Sequence, residues 1–247
     1  MAPSTNCLLP HALKLPGLSK LSGKRVILAS NSPRRKQILE TFGVAPEIVP
    51  STFEENLPRS EFQDVHEYPV ATATYKAVEV YERLVKQDPE NPPDLVIGAD
   101  TIVLSSILPS TTQYVDENAH HNQEILEKPE TEEDNMRMLM DLNGGVCEVV
   151  TGVSIVYPIL SSPGYEIKSI DERSLVYFSD NAPHLLEAYV KSKEGIDRAG
   201  GFAIQGLGAL LIRKVDGDYN NVVGFPASSF FKYLELLVEE DGDFLEI

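Results

Sequence analysis

The 247-residue chain has little cysteine and no long apolar run, and each shortage narrows the classes of protein it can belong to. Its two cysteines, Cys7 and Cys147, follow no disulfide or metal-ligand spacing, which is typical of a reducing intracellular compartment. No apolar run approaches the roughly 18 residues of a membrane helix, and the N-terminal residues lack the continuous apolar stretch of a secretory signal. We therefore predict a cytoplasmic protein with no membrane partner and no catalytic cysteine.

Basic residues are also scarce, and they are unevenly distributed. The chain has 21 Lys and Arg against 38 Asp and Glu, which gives a net charge of −17. Such a surface disfavours binding to nucleic acid or anionic membranes. Residues 1–39 nevertheless contain seven bases and no acid. Positive charge is therefore local, as a pocket for a small anion requires, and no nucleic-acid partner is predicted.

Strand and helix patterns alternate early in the chain, and long strand patterns follow. Nearly continuous apolar runs are typical of strands covered on both faces, whereas helical spacing of apolar residues indicates amphipathic helices. This order predicts a mixed α/β fold rather than a plain doubly wound sheet. The predicted strands cover residues 26–29, 45–49, 95–104, 146–156, 167–178 and 207–215, and the helices cover 33–42, 68–85, 132–142, 183–190 and 226–238.

The domain organisation predicted from composition is simple. Residues 1–23 contain three prolines, which disfavour a helical presequence, so we expect a disordered or surface-draped N-terminal extension. Residues 24–247 are predicted to form a single domain. The stretch near 105–122 has loop composition and no periodicity, so it is interpreted as an insertion.

The strand at residues 26–29 leads into a turn that is suited to a polyanion. Ser30 and Ser32 are typical of a loop and a helix N-cap, Pro33 suits the first helical position, and Arg34 and Arg35 follow. Free N–H groups at a helix N-terminus carry partial positive charge, so phosphate oxygens could meet amides, hydroxyls and guanidinium groups together. A strand-to-helix turn with solvated bases explains the same residues, and both interpretations stay open.

Four further polar residues have both a functional and an ordinary explanation. Asp100 lies in the apolar run, and strand ends in open α/β sheets bind ligands, but a cap or turn former would also fit. Lys76 and Lys128 are ordinarily solvated flanks. Gln205 lies in a glycine-rich apolar segment, where a buried amide needs a partner or costs roughly 1–3 kcal/mol.

Several segments, taken in order, resemble the Maf family of nucleotide pyrophosphatases. The resemblance covers roughly residues 25–237 and implies a Maf/ITPase-like fold, which is an elongated, mixed-sheet, two-lobed α/β structure with a central cleft, as a homodimer. The matching segments are residues 28–35 (LASNSPRR), 97–103 (IGADTIV), 126–129 (LEKP), 150–152 (VTG), 199–206 (AGGFAIQG) and 221–226 (NVVGFP).

The same resemblance implies the activity and its site. The implied reaction is hydrolysis of a nucleoside triphosphate, the expected partner, to monophosphate and pyrophosphate with Mg²⁺ or Mn²⁺ as cofactor. Asp100 corresponds to the catalytic carboxylate and a metal ligand, and Glu55 to a second ligand, with Glu54 as its alternative. The residues expected around the substrate are Ser30, Ser32, Arg34, Arg35, Lys76, Thr101, Lys128 and Gln205.

Three of these positions separate branches of the family. Arg34, Thr101 and Gln205 match the branch that acts on dTTP and UTP, with CTP and modified pyrimidines as further candidate substrates. Two alternatives stay open. One is a 7-methyl-GTP pyrophosphatase, and the other is a nucleotide-binding regulator of growth or division with little turnover.

Overall fold

The computed structural model describes residues 6–105 and 124–246. Helices and strands alternate along the first half, and longer strands follow. The strands are β1 (Val26–Leu28), β2 (Glu47–Ile48), β3 (Leu95–Ser105), β4 (Glu124–Leu126), β5 (Val146–Pro158), β6 (Tyr165–Phe178) and β7 (Ile212–Asp216). The helices are α1 (Pro16–Lys20), α2 (Pro33–Thr41), α3 (Glu67–Gln87), α4 (Glu132–Leu142), α5 (Pro183–Lys191), α6 (Tyr219–Val223) and α7 (Ala227–Glu240), with 3-10 turns at Arg59–Glu61, Ala199–Gly201 and Leu207–Leu211.

The strands of the described chain form a seven-stranded mixed sheet in the order β2-β1-β3-β5-β6-β7, with β4 paired to β3. Strand β1 pairs in parallel with both β2 and β3. Strand β4 pairs antiparallel with β3, and β7 antiparallel with β6. The prediction of a mixed α/β fold is therefore confirmed.

The chain divides into two compact units. Unit 1 comprises Met1–Asp100, Thr151–Glu172 and Gly224–Ile247, and unit 2 comprises Thr101–Val150 and Arg173–Val223. In unit 1, helix α3 packs its apolar face on β1, β3 and β5 through a cluster that includes Ala77, Val80 and Val96. Unit 2 has its own core of aliphatic and aromatic side chains, which includes Leu139, Val149, Phe178, Leu186 and Phe202.

Two glycines let helix α3 lie unusually close to the sheet of unit 1. A Cβ at Gly98 would lie 2.1 Å from the carbonyl oxygen of Ala73, and a Cβ at Gly152 would lie 2.4 Å from the nitrogen of Val70. Neither distance leaves room for a side chain, and a glycine inside a strand often marks such an approach. The close contact brings the part of α3 that carries Lys76 next to the part of β3 that carries Asp100.

Residues 6–23 differ from the predicted extension. The side chains of Cys7, Leu18 and Leu21 are buried, and the thiol of Cys7 donates a hydrogen bond to the carbonyl oxygen of Leu21 at 3.1 Å. The backbone also pairs with the body of unit 1, since the amide of Ala45 donates to the carbonyl of Cys7. Of the two predicted alternatives, disorder is therefore wrong for residues 6–23: most of this segment lies at the surface, and a few apolar side chains spaced among the prolines anchor it to unit 1.

The structure corrects one further prediction, and another lies almost entirely outside the described residues. Residues 207–211 form a 3-10 turn rather than the start of a strand, and only Ile212–Asp216 extends as β7. The predicted insertion at 105–122 lies outside the described residues except for Ser105, which ends β3. Among the described helices, none combines the length and the hydropathy needed to cross a bilayer.

Both cysteines are buried free thiols. Burial raises the pKa of the Cys7 thiol to about 11 and that of Cys147 to about 12. Since the thiolate is the nucleophile, neither cysteine is suited to covalent catalysis.

Candidate active site

The turn between β1 and α2 forms one side of the candidate site in unit 1. Ser32 is the N-cap of α2, and its hydroxyl accepts a long hydrogen bond of 3.5 Å from the amide of Arg35, with Pro33 at the first helical position. The hydroxyl oxygen of Ser30 accepts two hydrogen bonds, from the amide of Ser32 at 3.2 Å and from Nη1 of Arg35 at 3.1 Å. Because both of these contacts use the oxygen of Ser30, its own O–H proton is available to donate to an anion.

Arg35 is held in place from two directions. Its Nη1 donates to Ser30, and its Nε donates to the carbonyl oxygen of Gly224 at 2.9 Å. Burial lowers the pKa of the Arg35 guanidinium, while the charges of Asp100 and Glu55 act in the opposite direction. The guanidinium is therefore held by Ser30 and Gly224 near enough to Asp100 and Glu55 to sense their charges, and it remains charged because an arginine starts from a pKa above 12.

Lys76 lies on the buried face of α3 rather than on a solvated flank. It is 7% exposed, and its Nζ lies 2.9 Å from Oδ1 of Asp100 and 2.8 Å from Oε1 of Glu55. The ammonium group thus joins a buried carboxylate on a strand to a half-exposed carboxylate on a loop. A buried lysine is costly unless it is paired, so its position depends on these two acids.

The structure distinguishes the two adjacent glutamates of this loop. Glu55 contacts Lys76, whereas the carboxylate of Glu54 accepts a hydrogen bond from Nδ2 of Asn56 at 3.2 Å. Glu55 is therefore the glutamate that joins the Lys76 and Asp100 group.

Glu79, which the sequence analysis did not select, anchors the loop that carries Glu55. Its carboxylate accepts hydrogen bonds from the hydroxyls of Ser51 and Thr52 and from the amide of Thr52, all at 2.8–3.0 Å, and from Nε of Arg83 at 2.7 Å. Glu79 lies one helical turn beyond Lys76 on α3. The loop that carries Glu55 and the helix that carries Lys76 are thus linked by these hydrogen bonds next to the site.

We expect Glu79 to stabilise the fold in a pH-dependent way. Burial raises the pKa of this carboxyl, but the hydrogen bonds from Arg83, Ser51 and Thr52 outweigh it and lower the pKa to about 2, from an ordinary value near 4.5. Because the folded pKa is depressed, the stabilisation is complete above about pH 4.5 and is lost as the pH falls towards 2; after allowance for partial exposure it is on the order of 2 kcal/mol.

Urea unfolding of the wild type and of Glu79→Gln at several pH values measures this effect. The difference in the free energy of unfolding should be largest near pH 7 and shrink steadily between pH 4.5 and pH 2, with Glu90→Gln on an exposed turn as the control. A difference that is unchanged between pH 7 and pH 2 would contradict the assignment.

Asp100 lies within strand β3 and not at its end. The parallel pairing of β1 with β3 ends at Leu28 and Ile97, so Asp100 lies three residues beyond the last residue of β3 that pairs with β1, past the carboxyl end of β1. The interpretation of Asp100 as a residue at a strand end is therefore wrong for its own strand. The argument that ligands bind at the carboxyl ends of parallel strands still applies, because it holds for the neighbouring strand β1. Beyond the end of β1 there is space, and α2 begins there.

The remaining predicted site residues lie beside this group or in unit 2. Arg34 is half-buried in the first turn of α2, and Thr101 is half-buried and follows Asp100 on β3. In unit 2, Nζ of Lys128 lies 3.3 Å from Oδ1 of Asp197, and both side chains are largely exposed. Gln205 is also exposed, so the expectation of a buried amide that needs a partner is wrong, because the segment around it turns at the surface.

The group in unit 1 is chemically suited to bind an anion together with a divalent cation. Asp100 and Glu55 offer hard carboxylate oxygens, and Mg²⁺ is commonly held by one or two carboxylates together with substrate phosphates and waters. Among the described residues no group of three or more His, Cys, Asp or Glu could hold a metal alone. Asp100 and Glu55 would therefore supply two ligands to such an ion, and substrate phosphates and waters would supply the others.

The fold and these side chains define a mixed α/β protein with a site that combines two carboxylates, an ammonium group and a guanidinium group. The family model described as Maf-like protein matches residues 25–237, so the chain belongs to the Maf family. It is 43% identical over 223 residues to the human probable bifunctional dTTP/UTP pyrophosphatase/methyltransferase protein, a match that covers 89% of this chain and 33% of that protein. The chain therefore spans about one third of the human relative.

Other matches cover more of the related protein or concern a solved structure. The chain is 40% identical over 230 residues to the dTTP/UTP pyrophosphatase of Schizosaccharomyces pombe, which covers 91% of this chain and 88% of that protein. A solved nucleoside-triphosphatase / dITP/XTP pyrophosphatase from Mycobacterium abscessus is 17% identical with a TM-score of 0.31, and the match covers 63% of this chain and 74% of that one.

Proposed function

We propose that the protein hydrolyses nucleoside triphosphates to the monophosphate and pyrophosphate in a reaction that depends on a divalent metal. The observation that carries this proposal is the position of Lys76 between Asp100 and Glu55, with Arg35 held beside them. A buried cation between two acids suits a substrate that brings both phosphates and a metal, since each charged group then gains a partner of opposite sign.

The side chains of unit 1 have distinct roles in this proposal. The hydroxyl of Ser30 donates a hydrogen bond to a phosphate oxygen, and Arg34 and Arg35 neutralise phosphate charge as it develops. Lys76 keeps the carboxylates of Asp100 and Glu55 in position and offers its remaining N–H donors to the substrate. Asp100 orients the attacking water and accepts its proton.

Asp100 and Glu55 would hold the metal, Mg²⁺ or Mn²⁺. When bound, such an ion neutralises phosphate charge and lowers the pKa of a coordinated water, so that a weakly basic carboxylate suffices as the proton acceptor.

Pyrimidine nucleotides are the proposed substrates. The two curated relatives described above carry dTTP/UTP pyrophosphatase in their names, and Arg34, Thr101 and Gln205 match the branch with that preference. We propose dTTP and UTP as the main substrates, with CTP and modified pyrimidine nucleotides as weaker ones. The homodimer and the cytoplasmic location expected from the sequence stay predictions.

Direct measurement of pyrophosphate release tests the proposal. Purified protein is incubated with dTTP, UTP, CTP, GTP, ATP or 7-methyl-GTP, each with Mg²⁺, with Mn²⁺ or with EDTA. We expect equal amounts of pyrophosphate and monophosphate, the highest rates for dTTP and UTP, and no release with EDTA. A mock preparation from cells that do not express the protein, purified in parallel, controls for contaminating phosphatases.

Each of the other possible outcomes would overturn a different part of the proposed function. Release from 7-methyl-GTP alone would keep the reaction and overturn the pyrimidine preference. Inorganic phosphate without pyrophosphate would overturn the bond that is cleaved. Nucleotide binding without any release would favour a regulator with little turnover.

A further inference from the structure

The loop that carries Gln205 is fixed by its backbone. Gln205 lies in a turn between Ala203 and the 3-10 turn Leu207–Leu211, and its side chain is exposed. An exposed amide on a free loop would sample many orientations, which is a poor basis for recognising a nucleobase. The backbone on both sides of Gln205 is, however, held by two side chains from outside the loop.

On the C-terminal side the holding residue is Glu194. One carboxylate oxygen accepts a hydrogen bond from the amide of Leu207 at 3.0 Å, and the other accepts one from the amide of Gly208 at 2.9 Å. These amides begin a 3-10 turn whose first N–H groups have no partner within the turn. A carboxylate that accepts two backbone N–H groups with separate oxygens restrains both position and orientation.

On the N-terminal side the holding residue is Tyr189 of α5. Its buried hydroxyl oxygen accepts a hydrogen bond from the amide of Ala203 at 3.0 Å, and burial, together with the negative charge of Glu194, raises the pKa of this hydroxyl. Tyr189 and Glu194 therefore form a clamp that restrains the two ends of residues 203–208. Gln205 is at the centre of the clamped segment.

The glycine after Gln205 is part of the same arrangement. A Cβ at Gly206 would lie 2.0 Å from Oε1 and 2.6 Å from Cδ of Glu194. The carboxylate of Glu194 occupies the space that a side chain at position 206 would fill. Because this carboxylate ends a flexible side chain, Gly206→Ala is expected to displace it and leave the backbone of the loop intact.

We infer that Glu194, supported by Tyr189, is a positioning residue for base specificity that holds the Gln205 amide in the orientation needed to read a pyrimidine. The inference rests on the proposed function, since it assumes that Gln205 contacts the base. It adds a residue that touches neither base nor phosphate and acts only through the backbone of the loop.

The test compares substrate ratios in single and double variants. Glu194→Gln keeps the shape of the side chain but replaces one acceptor oxygen with an NH₂ group that faces a backbone donor. We expect the ratio of kcat/KM for UTP to kcat/KM for GTP to fall about tenfold, because a misplaced recognition group no longer favours the correct base. Gly206→Ala should lower the same ratio, and Glu187→Gln on the exposed face of α5 is the matched control.

The ratio of kcat/KM for UTP to kcat/KM for GTP distinguishes a loss of positioning from a general loss of folded protein. Partial unfolding lowers the active fraction equally for all nucleotides, so it leaves the ratio unchanged. Gln205→Ala should lower the ratio by itself, and adding Glu194→Gln to Gln205→Ala should lower it no further, since both act through one side chain.

Failure of the inference and failure of the proposed function have different signatures. If Gln205→Ala lowers the ratio but Glu194→Gln does not, or if the two effects multiply, the positioning role is wrong and the proposed function stands. If the wild type releases no pyrophosphate, or if Gln205→Ala leaves the ratio unchanged, base reading by Gln205 is wrong, and the inference falls with it.

Discussion

Replacement of Asp100 by Asn is expected to lower kcat by about 10³-fold or more while the protein stays folded. The amide is a poor metal ligand and cannot accept the proton of the attacking water, and a positioned proton acceptor typically contributes about 10²- to 10⁴-fold. The fold should survive because Lys76, the buried partner of Asp100, retains Glu55 at 2.8 Å. We expect the melting temperature to fall by no more than about 5 °C.

Steady-state rates with dTTP at saturating Mg²⁺ or Mn²⁺, together with thermal unfolding, measure both parts of this expectation. Asp216→Asn is the control, since Asp216 forms an exposed ion pair with Lys214, and such pairs contribute little. A variant at position 100 with near wild-type kcat would overturn the assignment of Asp100. Loss of the folded state would mean that Asp100 is chiefly structural.

Lys76→Met is expected to lower kcat/KM by about 10²-fold or more and to lower stability as well. Methionine has a similar length but no charge, so Asp100 and Glu55 would face each other without the ammonium group that joins them. A buried charge that loses its partner typically costs about 3 kcal/mol, which corresponds to a fall in melting temperature of roughly 6–12 °C for a chain of this size. The loss of activity follows from the loss of a cation beside the phosphates.

Lys86→Met is the matched control for this variant. Lys86 is exposed in the last turn of the same helix, so its replacement should leave both kcat/KM and the melting temperature nearly unchanged. The double variant Asp100→Asn with Lys76→Met should be little slower than Asp100→Asn alone, because directly hydrogen-bonded residues are not additive. If Lys76→Met keeps the wild-type rate, the site is assigned to the wrong side chains.

Local patterns were sufficient for most elements of the fold. The helix from Pro33 and the long helix α3 follow from capping chemistry and from apolar spacing, and β3 follows from its apolar run. The sequence analysis missed α1, β4 and α6, which have only five, three and five residues. Such short elements are stabilised by what they pack against, and a local pattern contains too few residues to indicate them.

The candidate site could be predicted as a set of residues but not as a geometry. One of the segments that resemble the Maf family contains Asp100, and the resemblance as a whole implied roles for Lys76 and for a glutamate at 54 or 55. The resemblance could not show that Glu55 is the glutamate that contacts Lys76, because loop length alone does not determine which side a side chain faces. The supporting residues Glu79 and Glu194 were missed, since their partners are 27–28 and 13–14 residues away in the chain.

The sequence by itself determined the mixed α/β class, the Maf family and the types of charged side chain available for the site. These depend on periodicity, on capping residues and on ordered motifs, which are all local properties of the chain. Only the tertiary structure decided that Lys76 is buried between two acids, that Gln205 is exposed on a clamped turn, and that residues 6–23 are anchored to unit 1. Burial and pairing depend on contacts between distant segments, such as the approach of α3 to Gly98, and no local pattern contains that information.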